Sequence, residues 1–240
     1  RMLLSSRDLG REPLKTPVCP AHIAEWQANE TNSMLELEPP RHNRLRGLVL
    51  RAFTGRKVAA TEPQTTALCH SLIDQFPSQP FNILNAFARP LPVNVIASLL
   101  GVPNDRCDDL LMWSNAMVAM YQSGRTKQTE IEANTATIEF TEFLESYISH
   151  RRMNPKTDLL SDLIAAEEEG EKLTGAELIS TCILLLNAGH EATVHTIGNA
   201  LKTLLPTCHR DVTTDLIEEV LRFDPPLHVF TRFAYKDIDC

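Results

Sequence analysis

Apolar residues recur at three- and four-residue intervals along most of the chain, the spacing that places them on one face of a helix. In "RHNRLRGLVLRAFT" this spacing joins Leu45, Leu48 and Val49. The same pattern continues in four further segments: "PLPVNVIASLLGVP", "DRCDDLLMWSNAMVAMY", "TKQTEIEANTATIEFTEFLESYISHRR" and "DLLSDLIAAEEEG". Because helix follows helix and strand patterns are few, we predict a mainly α fold with a minor β part, in a single domain over residues 1–240.

The longest helical pattern covers residues 174–205 and contains "LLLNAGHEATVHTIGNAL". Thr174 is the predicted N-cap, Glu177 completes a capping box three residues later, and Pro206 ends the pattern. At 1.5 Å per residue this helix is about 45 Å long, enough to cross the molecule. A shorter helix is predicted over residues 213–223, and a strand in the final "LHVFTRFAYKDIDC".

The centre of the long helix carries small residues where a buried helix ordinarily has large apolar ones. Gly189, Ala192, Thr193 and Thr196 share one stripe at i, i+3, i+4 and i+7. A glycine inside a helix costs roughly 1 kcal/mol against alanine, so the stripe indicates a helix that faces something closely. Close packing against another helix and a flat cofactor lying on the stripe both explain it.

Composition and charge limit the class of partner. The formal net charge of -8 argues against a nucleic-acid or anionic-membrane surface. The longest apolar runs are shorter than the ~18 to 20 residues of a membrane span, and no signal peptide is evident, so we expect a cytoplasmic protein. The six cysteines are scattered, as free thiols in a reducing compartment are. Because the chain starts at Arg1 and has no glycine after Gly198, we expect a fold truncated at both ends.

The segment "HEATVH" resembles the zinc-protease pattern HExxH at first sight. That pattern needs two histidines four residues apart on one helix face. His190 and His195 are five residues apart, which is roughly 140° around a helix. We therefore predict no metal site formed by this pair.

The order of several short segments is more informative than any one of them. In chain order they are "HNRLR", "VIASLLGVP", "NAGHEAT", "EEVLRFDPP" and "FTRFA". In this order they resemble the soluble bacterial branch of the cytochrome P450 family, over essentially the whole chain. "NAGHEAT" is similar to the oxygen-binding helix of that family, and "EVLR" to its Glu-x-x-Arg motif.

The resemblance implies an oxidoreductase, a haem-dependent monooxygenase that hydroxylates a hydrophobic small molecule with O2. Its cofactor would be haem b, iron protoporphyrin IX, and its electrons would come from a ferredoxin-type partner. The residues implied to contact the cofactor are His42, Arg46, Ala188, Gly189, Ala192 and Arg232. The basic ones would bind the two haem propionates, with His42 and Arg46 on one and Arg232 on the other.

The resemblance also implies roles around the cofactor. Glu191 and Thr193 are the candidate catalytic residues, with Glu191 in a proton relay. Glu219 and Arg222 would form a buried structural ion pair. The substrate pocket would include Leu227, Val229 and Phe230.

Two departures from the family pattern bear on activity. The family places threonine directly after the acid of its oxygen-binding helix, but this chain has Ala192 there and Thr193 one step of 100° further on. Proton delivery is therefore expected to depend on ordered water, a substrate hydroxyl or Glu191 alone. The haem-ligand loop FxxGxxxCxG needs glycines after Arg222, and none occurs.

Cys240 ends the predicted strand and Cys208 precedes the Glu-x-x-Arg helix, so neither is expected by position to be the axial ligand, and this chain supplies none. We expect the chain by itself to be inactive as a monooxygenase. Two alternatives remain: a non-catalytic, decayed relative that keeps the helical scaffold without thiolate-ligated haem, and a cofactor-free helical bundle.

Overall fold

The structure is a computed structural model of the 240-residue chain. It describes residues 6, 8–15, 18–168, 170–207 and 211–237. Cys208 and Cys240, which were considered as axial ligands, lie outside the described residues. Within the described ranges, no helix is both long enough and apolar enough to cross a membrane.

Helices dominate the fold, and the predicted mainly α class with a minor β part is confirmed. The α-helices are α1 (Ala24–Glu30), α2 (Arg41–Ala52), α3 (Gly55–Ala60), α4 (Glu62–Ile73), α5 (Pro90–Leu100), α6 (Cys107–Val118), α7 (Lys127–Met153), α8 (Leu159–Ala165), α9 (Gly175–Leu204) and α10 (Thr214–Phe223). The strands are β1 (Leu9–Gly10), β2 (Glu167–Glu168), β3 (Glu171–Lys172) and β4 (Phe233–Ala234). The described chain forms two compact units, one from residues 1–54, 112–184 and 230–240, the other from residues 55–111 and 185–229.

The first unit is built around α7, which packs against α1 and α8, while α8 also packs against α2. Phe140 and Leu144 of α7 are fully buried in its core, as is Leu45 of α2. Trp113 stacks on Phe140 with ring centroids 5.1 Å apart. Large apolar side chains at helical spacing therefore form this core, as the sequence pattern predicts.

A short antiparallel pair joins the two ends of the first unit. Gly10 of β1 lies opposite Phe233 of β4, and the backbone N–H of Tyr235 donates to the carbonyl of Asp8 at 2.8 Å. A Cβ at Gly10 would lie 2.1 Å from the Tyr235 hydroxyl, so only glycine permits this approach. The strand predicted across "LHVFTRFAYKDIDC" is thus shorter than expected, because only two of its described residues pair with another strand.

The second unit contains α4, α5 and the second half of α9. The α4 and α5 helices pack together, and the side chain of Gln64 donates to the Ser98 hydroxyl at 2.8 Å. Helix α5 begins at the predicted proline and ends at Gly101, whose φ of +80° is the left-handed conformation that favours glycine at a helix end. Val93 and Ala97 of α5 are buried.

The long helix predicted near residues 174–205 is α9, which runs Gly175–Leu204 and contributes to both units. Its predicted capping box is confirmed. The Glu177 N–H donates to the Thr174 hydroxyl at 3.2 Å, and the Thr174 N–H donates to the Glu177 carboxylate at 2.9 Å. The organisation of residues 1–240 as one domain stays a prediction.

Candidate functional site

The small residues at the centre of α9 do not all face the same surroundings. A Cβ at Gly189 would lie 3.4 Å from the side chain of Ile96 in α5, so this glycine lies against a neighbouring helix. Ala188 is exposed and Ala192 is half-buried. Close packing therefore explains Gly189, whereas Ala188 and Ala192, one helical turn apart, leave room on an accessible side of α9.

The two threonines of the stripe use their hydroxyls within the helix. Thr193 donates to the carbonyl of Gly189 at 3.0 Å, and Thr196 donates to the carbonyl of Ala192 at 2.8 Å. Such bonds to the preceding turn are common for hydroxyl side chains inside helices. In this arrangement the Thr193 proton is already engaged by its own backbone.

Glu191 lies in a partly buried position beside a histidine that the sequence reasoning did not select. Its side chain is 26% exposed, and burial raises the pKa of its carboxyl, an effect that His195 partly offsets. The Nε2 atom of His195 lies 3.8 Å from Oε1 of Glu191, and the His195 side chain is 56% exposed. The spacing of four residues along a helix is the signal that could have revealed this pair.

His190 has a different environment from His195. It is 2% exposed, and neither ring nitrogen has a hydrogen-bond partner among the described residues. Burial lowers the pKa of His190 to about 4, and the nearby Arg89 and His195 add to the effect. The imidazole is therefore neutral at neutral pH.

The basic residues of α2 separate into paired and unpaired groups. Arg44 forms ion pairs with Glu171, at 3.3 Å, and with Glu177. His42 is half-buried with a ring nitrogen 3.4 Å from the Asn43 side-chain oxygen. Arg46 is exposed, and no hydrogen bond or ion pair joins it to another described residue. His42 and Arg46, one turn apart, are therefore available to an anionic group.

Phe230 and Thr231 are contacted by an arginine from the N-terminal segment. The Arg11 guanidinium donates to the Thr231 carbonyl at 2.7 Å and lies 5.3 Å from the centre of the Phe230 ring. Arg11 also forms an ion pair with Glu36. Arg232 itself is exposed and forms no contact with a charged partner in the part of the chain that the structure describes.

The Glu219–Arg222 pair forms, but the prediction that it is buried is wrong for the described chain. The Arg222 guanidinium donates to both carboxylate oxygens of Glu219, at 2.7 and 2.6 Å. The side chains are 53% and 70% exposed. Val220 is the buried residue of α10, and the pair lies on exposed sides of the helix.

The predicted pocket residues Leu227, Val229 and Phe230 are all exposed. Exposed large apolar side chains close together in sequence indicate a surface that another molecule or segment covers. The structure describes each of them without bringing them together into a closed cavity.

Each unit, taken by itself, offers side chains whose chemistry suits part of a haem. In the first unit Arg46 and Arg232 are cations without a partner among the described residues and are suited to carboxylates. In the second unit Ala188 and Ala192 are small side chains on an accessible side of α9. Among the described residues, no group of three His, Cys, Asp or Glu side chains could hold a metal ion. The fit therefore concerns the propionates and the distal face, not ligation of the iron.

Comparison with known proteins gives a consistent assignment. The family model of cytochrome P450 matches residues 15–223. The chain is 34% identical over 220 residues to the putative cytochrome P450 YjiB of Bacillus subtilis (strain 168), covering 87% of this chain and 56% of that protein. It is also 34% identical to vitamin D(3) 25-hydroxylase of Pseudonocardia autotrophica, covering 90% of this chain and 54% of the relative.

A solved structure is similar along almost the whole chain. The structure of P450BioI in complex with hexadec-9Z-enoic acid ligated acyl carrier protein matches with a TM-score of 0.91 and 29% identity. The match covers 99% of this chain and 63% of P450BioI. The chain thus spans about half the length of the curated relatives that it matches.

Proposed function

Because the chain belongs to the cytochrome P450 family, we propose that it carries the distal part of a haem-dependent monooxygenase that hydroxylates a hydrophobic small molecule. The observation that carries the proposal is the centre of α9, where Ala188 and Ala192 leave an accessible side beside the partly buried acid Glu191. Haem, when bound, supplies the dioxygen chemistry that inserts one oxygen atom into the substrate.

His42, Arg46 and Arg232 would bind the haem propionates. Arg46 and Arg232 support this role because they are exposed cations without partners among the described residues. Arg44 is not a candidate, since Glu171 and Glu177 already occupy its guanidinium. Ala188 and Ala192 would face the ring, while Gly189 would bring α9 close to Ile96 and act only through that packing.

Glu191 would hold the proton that oxygen activation consumes. Burial favours the protonated form of its carboxyl, which suits a general acid. Thr193 is less suited, because its hydroxyl donates to the Gly189 carbonyl of its own helix. Delivery would therefore depend on Glu191 together with water or another proton donor.

The substrate class is proposed from the exposed apolar residues and from the relatives. Leu227, Val229 and Phe230 would contact a hydrophobic substrate, because they are exposed apolar side chains in one short segment. Vitamin D(3) and hexadec-9Z-enoic acid, named with two similar proteins, are both hydrophobic molecules. The electron donor would be a ferredoxin-type protein, as the family resemblance implies.

The 240-residue chain alone would be inactive as a monooxygenase, since its sequence contains no FxxGxxxCxG loop to supply a thiolate. The competing function is a non-catalytic helical scaffold that does not use thiolate-ligated haem. The two make different predictions for haem uptake and for the spectrum of the bound haem.

The test is the absorbance spectrum of the reduced, carbon-monoxide-treated protein after haem reconstitution. It compares this chain with the same chain extended by a segment that carries the FxxGxxxCxG loop of the family. The expected result is a red-shifted thiolate band in the extended protein only. Failure of both proteins to bind haem would contradict the monooxygenase proposal.

Replacing both Arg46 and Arg232 by alanine should weaken haem uptake by about tenfold or more, whereas Arg56→Ala, which removes an exposed arginine of α3, should not.

A further inference from the structure

Three polar residues follow one another along the same side of α9. Asn187, Glu191 and His195 are separated by four residues each, so they lie within a narrow strip of the helix surface. Asn187 has a buried side-chain oxygen without a hydrogen-bond partner among the described residues. Exposure increases along the rest of the strip, from the partly buried Glu191 to the largely exposed His195. The strip therefore leads from the exposed His195 inward through Glu191 to the buried side-chain oxygen of Asn187.

We propose that His195 is a proton-transferring and positioning partner of Glu191, supplying protons from solvent to this acid. The proposal rests on the proposed function, in which Glu191 serves oxygen activation. His195 acts through Glu191 and need not touch substrate or cofactor.

The distance and the side-chain mobility permit direct transfer. Nε2 of His195 and Oε1 of Glu191 are 3.8 Å apart, slightly beyond a hydrogen bond. A small rotation of the exposed imidazole, or one bridging water, closes that distance. Histidine is also the side chain whose ordinary pKa permits proton exchange near neutral pH.

The neighbouring hydroxyls leave this role open. Ala192, directly after Glu191, has no hydroxyl, and the hydroxyls of Thr193 and Thr196 donate to backbone carbonyls of α9. An exposed imidazole at the next turn replaces a hydroxyl as the group that restores the proton on the acid. The absence of threonine after Glu191 and the presence of His195 are thus explained together.

The transfer is balanced in protons. The protonated imidazole gives its Nε2 proton to the Glu191 carboxylate, which becomes the neutral acid. Neutral His195 then takes a proton from bulk water or buffer and returns to its starting state. Each proton that Glu191 gives up is replaced by one from solvent, and no electrons move in either step.

Among the described residues, few other charged groups influence the protonation of Glu191. Burial and His195 are the two influences on the carboxyl of Glu191. Arg89, which precedes α5, and His195 both act on the buried imidazole of His190, which is neutral. The Arg89 guanidinium donates to the Asn85 side chain at 2.8 Å. The relay is therefore expected to respond mainly to the charge state of His195 and Glu191 themselves.

The first test measures the coupling without any cofactor, by following the carboxyl signal of Glu191 by NMR as the pH changes. His195→Asn should raise the titration midpoint of Glu191, because His195 partly offsets the effect of burial on the pKa of this carboxyl. His228→Asn is the matched control and should leave the Glu191 midpoint unchanged, because His228 lies 3.8 Å from Asp224 with the same four-residue spacing. An unchanged Glu191 midpoint in His195→Asn would overturn the proposal.

The second test uses the haem-loaded extended protein and measures product formed per electron consumed as a function of pH. His195→Asn should reduce that yield by about tenfold, with substrate affinity unchanged. His195→Gln, whose side chain also cannot take up or release a proton near neutral pH, should behave like His195→Asn, and His70→Asn on α4 should match the parent protein. If His195→Asn keeps the parent profile while Glu191→Gln loses yield, His195 has no part in delivery. If Glu191→Gln also keeps it, or no haem binds, the proposed function fails and this inference falls with it.

Discussion

Arg44 and Arg46 lie two residues apart on α2 but have different surroundings. Both belong to the basic segment "RHNRLR" of the sequence. In the structure Arg44 forms ion pairs with Glu171 and Glu177, and the Glu177 side chain is only 6% exposed. Burial alone would raise the pKa of Glu177, but the hydrogen bond from the Thr174 backbone and the Arg44 guanidinium lower it below its ordinary value. Arg44 is therefore a structural residue, whereas Arg46 has no partner among the described residues.

Arg44→Ala should lower the free energy of unfolding by about 2 kcal/mol, because it leaves the Glu177 carboxylate without its cationic partner. Arg46→Ala on the same helix is the matched control and should change the free energy of unfolding by less than about 0.5 kcal/mol. Since the pKa of Glu177 is lowered, the pair stabilises the protein above pH 4.5 and this stabilisation is lost as the pH falls through the folded-state pKa. Urea unfolding at pH 7 and pH 3 measures both effects, and equal values for the two variants at pH 7 would contradict the assignment.

At the scale of elements, the contact of α9 with α5 depends on the size of one residue. A Cβ at Gly189 would lie 3.4 Å from Ile96, an ordinary contact distance, but a longer side chain would have to displace Ile96. The capping box at Thr174 shows the opposite case, because it depends only on residues three apart. One end of α9 is thus fixed by local sequence and its centre by a neighbouring helix.

The effect of a substitution at Gly189 on stability should therefore depend on the size of the new side chain. Gly189→Ala should stabilise the protein by up to about 1 kcal/mol, because alanine favours the helix and its methyl group fits beside Ile96. Gly189→Leu should destabilise it by about 1 to 3 kcal/mol through overpacking. Thermal unfolding of both variants measures the difference, and a neutral Gly189→Leu would show that no close packing exists there.

At the scale of the whole molecule, two buried titratable residues give opposite dependences of stability on pH. Burial lowers the pKa of His190 to about 4, and burial is also the main cause that raises the pKa of Glu30 to about 7. Glu30 accepts a hydrogen bond from the Tyr121 hydroxyl at 2.7 Å and belongs to the first unit, whereas His190 belongs to the second. Burial favours the neutral form of each side chain. Acid therefore destabilises the protein by protonating His190, and base destabilises it by ionising Glu30.

The two contributions can be separated by substitution. The stability that depends on neutral His190 is present above pH 6.5 and is lost as the pH falls through about 4. The free energy of unfolding of His190→Leu, relative to that of the parent, should therefore rise by up to about 3 kcal/mol between pH 7.5 and pH 4. Glu30 destabilises the folded protein increasingly as the pH rises from 4.5 through about 7. The free energy of unfolding of Glu30→Gln, relative to that of the parent, should therefore rise by up to about 3 kcal/mol between pH 4.5 and pH 8. The measurement is the difference in unfolding free energy from the parent across this pH range, and a constant difference would refute the assigned pKa.

The sequence by itself determined the features that depend on near neighbours or on segment order. The spacing of apolar residues predicted the helices, and Thr174 and Glu177 predicted the start of α9. The order of the motifs identified the family. Each of these features depends on residues close together in the sequence or on the order of segments along it. The tertiary structure alone decided which of these residues are buried or paired. Arg44 reaches Glu177 across 133 positions, Gly189 lies against Ile96, and the Glu219–Arg222 pair is exposed. Burial and pairing depend on segments far apart in the chain that folding brings together, so no local pattern contains them.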